Sequence, residues 1–128
     1  MRLLLDAQAL LWFLWDHPRL STAARASIAD PDNDLMLSIG SCCEIAIKVS
    51  LGKLKLAQSY RSFLESAMAA HQIELLPINL EHTSILAELP FHHRDPFDRL
   101  LAAQALVEQI SVVSVDAALD AYGVQRVW

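Results

Sequence analysis

Asp6 follows Leu3-Leu4-Leu5, Glu44 follows Leu35-Met36-Leu37, Asp98 opens Leu100-Leu101-Ala102-Ala103, and Asp116 follows Val112-Val113. In a chain that alternates strands with helices, these are the places where a strand hands over to a helix. Parallel strands end on a common rim, so carboxylates at those junctions share one edge of the sheet and repel one another. A divalent cation relieves that repulsion, and hard cations such as Mg²⁺ and Mn²⁺ take oxygen ligands. Helix N-termini at the same junctions are expected to hold the carboxylates ionised, ready for metal.

Each acid also has a plain structural explanation. Asp6 and Asp116 read as N-caps, and Glu44 as the third-position glutamate of a capping box begun by Ser41. Asp98 falls in a first helical turn, where the macrodipole favours a negative charge. Lys48, four residues past Glu44, makes an ordinary helix-surface pair. Ser, Thr or Asn would cap equally well, however. Capping therefore does not call for an acid at every junction, nor on the rim where doubly wound sheets bind ligands.

The elements that must position these residues follow from pattern and punctuation. Short apolar runs predict strands at 2–5, 35–38, 73–76, 111–115 and 124–127. Helices are expected at 7–15, 21–29, from Ser41 to near Gly52, 59–71, 80–88, from Asp95-Pro96 to about Gln109, and as one turn at 117–121. The strands lack in–out alternation, as expected when both faces are covered. The order predicts an α/β fold, a doubly wound parallel sheet with helices on both faces, in one domain spanning 1–128. Helix-rich insertions follow the first two strands.

With 54% hydrophobic residues and only 5 Pro and 3 Gly, the chain has ample material for one packed core. No apolar run reaches the length of a membrane span, and the acid at position 6 interrupts the N-terminal apolar run of a signal peptide. Cys42 and Cys43 are adjacent, which ordinary disulfide geometry does not accommodate, so a reducing cytoplasm is expected. A net charge of −5 argues against a simple basic nucleic-acid binder. It leaves a nuclease open, because bound metal inverts the local field. Among the other histidines and aromatics, His92-His93 reads as an exposed loop pair, and Trp12 and Trp15 as packing residues. No Gly-rich phosphate loop or Cys-x-x-Cys is present.

Together these residues resemble a known family. Leu4-Leu5-Asp6-Ala7-Gln8-Ala9-Leu10-Leu11-Trp12, Ser41-Cys42-Cys43-Glu44-Ile45-Ala46-Ile47-Lys48, His93-Arg94-Asp95-Pro96-Phe97-Asp98-Arg99-Leu100-Leu101-Ala102-Ala103-Gln104-Ala105 and Val113-Ser114-Val115-Asp116 are similar to blocks of the PIN-domain nucleases. The resemblance is to the VapC-type toxins of bacterial toxin–antitoxin pairs, over nearly the full length. It implies an endoribonuclease whose Asp6, Glu44, Asp98 and Asp116 bind Mg²⁺ or Mn²⁺. Asp95 and Ser114 are then supporting residues, and Lys48, Arg94 and Arg99 are candidate RNA contacts, with Lys53 and Lys55 at the groove edge. It also implies a cognate antitoxin and a homodimer. The subgroup commonly carries Asp-Thr-His where this chain has Asp6-Ala7-Gln8, and often tryptophan at Cys43. That departure supports the alternative of a PIN-fold binding module that contacts antitoxin or RNA without cleaving. A nuclease acting on DNA is a third reading.

Overall fold

Leu3 and Leu5 of the first strand point into one core, and Leu4 points into another. All three are fully buried, so the strand is covered on both faces. The same alternation recurs in the other central strands. Leu35, Leu37 and Val113 join the first core, and Met36 and Val112 the second. A continuous apolar run is thus what a two-sided sheet requires, each fully buried leucine contributing roughly 1.5–3 kcal/mol.

The computed structural model describes residues 1–128. The elements run β1 (Arg2–Leu5), α1 (Ala7–Leu14), α2 (Thr22–Ala29), β2 (Asp34–Ser38), α3 (Ile39–Ser50), α4 (Tyr60–His71), β3 (Glu74–Leu76), α5 (Leu80–Glu88), α6 (Pro96–Glu108), β4 (Ser111–Val113), a 3₁₀ turn (Ala117–Tyr122) and β5 (Arg126–Val127). All strand pairs are parallel, in the order β3-β2-β1-β4-β5. Leu10, Ile28, Ile45 and Leu64, from α1 to α4, pack on the face of Leu3 and Leu5. Leu101, Ala102 and Ala105 of α6 and Leu119 and Tyr122 of the 3₁₀ turn cover the opposite face. No helix is long and apolar enough to cross a membrane, and Cys42 and Cys43 are both free.

The chain leaves β1 toward β2 and β3, then crosses back to add β4 and β5. The switch point therefore lies between β1 and β4, where the outgoing connections diverge and leave a crevice beyond the strand ends. Leu5 is in register with Val113, and the Asp6 N–H donates to the Val113 carbonyl at 3.2 Å. This pairing sets the residues that follow, Asp6 and Ser114, beside each other at the mouth of the crevice.

The start of α3 and the extents of the last two strands differ from expectation. α3 starts at Ile39 rather than after Ser41, because the Ser38 hydroxyl already caps it by accepting the Gly40 N–H at 2.9 Å. That hydroxyl also donates to Gln104 Oε1 on α6 at 2.5 Å. Gly40 sits at the crossing of α3 and α6, where a Cβ would come within 2.7 Å of Leu100 Cδ2. Glu44 consequently stands in the second turn of α3 and is not part of a capping box. The last two strands are shorter than expected, since the chain turns away at Ser114 and reaches β5 only after Gly123, whose φ of 80° ends the 3₁₀ turn.

Candidate active site

Asp6, Glu44, Asp98 and Asp116 line one cleft of about 220 Å³ at the switch point, together with Ala7, Gln8, Lys48 and Val115. Two of the four acids arrive by capping, and a third from the first turn of a capped helix. Asp6 caps α1 by accepting the Ala9 N–H at 2.6 Å. Asp116 caps the 3₁₀ turn through Ala118 N–H at 3.0 Å. Asp98 occupies the first turn of α6, whose cap is Asp95, accepting the N–H groups of Phe97 at 2.8 Å and Asp98 at 3.3 Å. Pro96 at the helix start has no N–H to leave unpaired. Glu44 reaches the cleft from the second turn of α3, paired with Lys48 at 3.0 Å. Capping and site formation are thus one arrangement for Asp6 and Asp116.

Electrostatically the cleft is under tension. Burial, with Glu44 and Asp116 nearby, raises the Asp6 carboxyl to about 6, although the Ser114 hydroxyl and the Ala9 N–H draw it down. Burial, Asp95, Glu44 and Asp116 raise Asp98 to about 7, against the pull of His93. At Asp98 this corrects the expectation that helix N-termini hold the carboxylates ionised at neutral pH. Desolvation and like charge outweigh the capping hydrogen bonds.

His93 belongs to the site, contrary to its reading as an exposed loop residue. Its Nε2 lies 2.5 Å from Asp116 Oδ2 and 3.1 Å from Asp98 Oδ2, and its side chain is only 18% exposed. Its backbone N–H donates to the Tyr122 hydroxyl at 3.0 Å, which holds the loop against the 3₁₀ turn. Burial lowers the pKa of His93, but the hydrogen bond to Asp116 and the charges of Asp98, Asp116 and Asp95 outweigh it and raise the group overall. Within the sequence, the available signal was its place two residues before the Asp95-Pro96 cap. His92 stays on the surface against Tyr122, His17 stacks on Trp12, His71 meets the edge of Phe13, and His82 is buried under α6.

The candidate RNA contacts separate. Lys48 lines the cleft, whereas Arg94, next to His93 in sequence, is exposed, does not line the cleft and makes no ion pair. Lys53 and Lys55 are exposed beyond the end of α3. Arg99 is a correction: it is buried, and its guanidinium donates to the carbonyls of Pro90 at 2.9 Å, Leu89 at 3.2 Å and Leu86 at 3.3 Å. Phe91 covers it with the guanidinium carbon 4.1 Å from the ring centroid. Arg99 ties the end of α5 to α6 and does not face the cleft. Ser114 sits beneath the site, its hydroxyl accepting the Asp116 N–H at 3.0 Å.

The family model of the PIN domain matches residues 3–125. The chain belongs to the PIN domain family. No curated protein matches it in sequence. Among solved structures, this PIN domain is similar to a chain of VapBC2 from Rickettsia felis bound to a DNA fragment from their promoter, with a TM-score of 0.74 and 16% identity over 100% of both chains. It is also similar to a chain of VapBC-1 from nontypeable Haemophilus influenzae, with a TM-score of 0.66 and 17% identity over 98% of this chain and 96% of that one. A third is FitAcB from Neisseria gonorrhoeae, with a TM-score of 0.65 and 18% identity over 97% and 95%. At these identities the likeness is one of fold. The five-stranded parallel PIN sheet with helices on both faces is the architecture expected from the sequence.

Proposed function

We propose that this PIN domain is a Mg²⁺- or Mn²⁺-dependent endoribonuclease and the toxin half of a toxin–antitoxin pair, acting in the cytoplasm. The observation that carries this reading is the convergence of Asp6, Glu44, Asp98 and Asp116 on one cleft at the sheet's switch point, with Lys48 as the sole basic side chain lining it. PIN domains are generally nucleases, which agrees with such a site.

The donor set fits a hard divalent cation. It is made of carboxylate oxygens, and two of these groups are pushed toward neutrality by burial and mutual repulsion, the tension a cation relieves. Asp6, Asp98, Asp116 and Glu44 would hold it. When bound, the cation supplies Lewis-acid charge to the phosphodiester and to the attacking water. The chain's own residues do the rest. Any proton held by Asp98, or by Asp6 below about pH 6, would have to leave for these carboxylates to hold a cation. Ser114 fixes Asp116 from below, and Asp95 fixes the first turn of α6 that carries Asp98. Lys48 and the exposed Arg94 contact the RNA backbone, and Lys53 and Lys55 extend the basic edge.

An antitoxin partner and a homodimer belong to the same reading. Exposed Trp15, Ile47, Leu51 and Leu75 offer apolar surface for such contacts. A second reading, a binding module without cleavage, is favoured by one observation. Ala7 and Gln8 line the cleft, so the hydroxyl and imidazole common in the resembling subgroup are absent there.

Purified protein assayed side by side on RNA and DNA tests the proposal. RNA cleavage with Mg²⁺ or Mn²⁺, stopped by EDTA, is expected, with Mn²⁺ affinity and cleavage both falling in Asp98→Asn. Specific Mn²⁺ uptake without cleavage of either polymer would favour the binding module. Cleavage indifferent to EDTA would sink the metal-site reading.

A further inference from the structure

We propose that His93 is a placeholder for the cation: its Nε2–H fills the notch between Asp98 and Asp116 and must leave before those two carboxylates can hold a cation. This rests on the metal-site reading above.

The chemistry follows from the tautomer. The Asp95 backbone N–H donates to His93 Nδ1 at 3.0 Å. A backbone amide keeps its proton, so Nδ1 must present its lone pair. In the neutral ring the proton then resides on Nε2. That Nε2–H points at Asp116 Oδ2, 2.5 Å away, and Asp98 Oδ2, 3.1 Å away. His93, Asp98 and Asp116 each place a potential ligand atom within 4.8 Å of the others, which alone would suggest a three-ligand metal centre. The tautomer opposes it, because a nitrogen that carries a proton has no lone pair for a metal. His93 therefore donates to the acids, and while it does so those two oxygens are occupied by its proton.

The arrangement leaves a way out. The other Asp116 oxygen is held by the Ala118 N–H at 3.0 Å, so that carboxylate stays in place when the ring departs. The loop is tethered to Tyr122 through the His93 backbone N–H, and the ring's only hydrogen bond to the loop is the one its Nδ1 accepts from Asp95 N–H, which its departure breaks. Rotation about the side-chain torsions moves the imidazole out of the notch without breaking that tether. In the metal-free protein the ring thus holds two like-charged side chains together. On loading it gives them up.

Imidazole nitrogen NMR and Mn²⁺ titration by EPR test this together. In metal-free protein the His93 proton is expected on Nε2, and added Mg²⁺ should shift both ring nitrogens as the hydrogen bonds break. His93→Ala should bind Mn²⁺ about tenfold tighter than wild type, the scale of one hydrogen bond to a charged group. His93→Gln keeps an amide donor of different reach and should fall between the two, carrying the same sign should the alanine variant fold poorly. Equal or weaker Mn²⁺ binding in these variants, or a proton found on Nδ1, would overturn the placeholder and leave the metal site standing. Failure of wild type and variants alike to take up Mn²⁺ would sink the metal-site reading and the placeholder with it.

Discussion

Lys48 Nζ stands 3.0 Å from Glu44 Oε2, one turn along α3, and is the one basic side chain in a cleft that also holds Asp6, Asp98 and Asp116. Part-exposed pairs of this kind add about 0.3–0.5 kcal/mol to a helix. Lys48→Met is therefore expected to shift folding free energy by less than about 1 kcal/mol. Its effect on RNA should be larger. A backbone contact made equally in ground and transition states raises KM when removed and leaves kcat in place. Urea denaturation and steady-state cleavage check both parts, and a fall in kcat with unaltered KM would count against the phosphate contact.

The raised carboxyls make stability depend on pH in a definite direction. Between the ordinary value of 3.8 and the folded values of about 6 for Asp6 and about 7 for Asp98, the folded chain keeps protons that the unfolded chain has released. Stability from these groups is complete below pH 4 and is lost as pH rises through 6 and 7. The loss is on the order of 3 kcal/mol, less than two independent shifts would give because both groups respond to the same charges of Glu44 and Asp116 and Asp98 is partly solvent-screened. Urea unfolding of metal-free protein at pH 4.5, 6 and 8 measures it. Asp98→Asn should flatten the slope, and saturating Mg²⁺ should restore stability at pH 8. An unchanged slope in Asp98→Asn would show that Asp98 is not the group responsible.

How much of this was legible in the sequence depends on how local each cause is. Asp6, Asp95 and Asp116 announce themselves because a cap needs only its own next few residues, and Pro96 marks the start of α6 without tertiary help. Glu44 is in the cleft, but the junction logic that singled it out was mistaken, since Ser38 had already begun α3. The choice between Ser38 and Ser41 as cap is decided by Gln104 and by the close approach of Leu100 to Gly40, residues some sixty positions away. His93 and Arg99 were misread for the same reason. One finds its partners across the gap from the α5–α6 loop to the end of β4, the other in carbonyls at the end of α5. Both depend on how the α5–α6 loop folds back, which no capping or periodicity signal specifies.

Arg94 and Arg99 flank the Asp95 cap and should respond oppositely to truncation. Arg99 is buried and donates to three backbone carbonyls, so Arg99→Ala leaves Leu89 O without a donor, weakens the pairing of Leu86 O and Pro90 O, and removes packing against Phe91. A loss of roughly 3 kcal/mol in stability is expected. Arg94→Ala should leave the unfolding midpoint alone and weaken RNA binding, with a smaller salt dependence of affinity. Thermal unfolding paired with RNA binding at two salt concentrations separates them. Equal stability losses in the two variants would contradict the assignment of Arg99 as a structural tie.

Asp6 performs two tasks that substitution can pull apart. Its carboxylate caps α1 through Ala9, and it faces Glu44 and Asp116 in the cleft. Asn keeps an acceptor for the Ala9 N–H and removes the charge, so Asp6→Asn should retain the cap and relieve the repulsion. Its midpoint of thermal unfolding at pH 8 should equal or exceed that of wild type in metal-free buffer, while metal-dependent RNA cleavage falls by about 100-fold or more. Asp6→Ala removes both tasks and should lose about 1 kcal/mol of helix capping relative to Asp6→Asn. Added Mg²⁺ sharpens the comparison, since it should raise the wild-type midpoint and leave both variants nearly still. If Asp6→Asn cleaved RNA as wild type does, the carboxylate would be a cap alone.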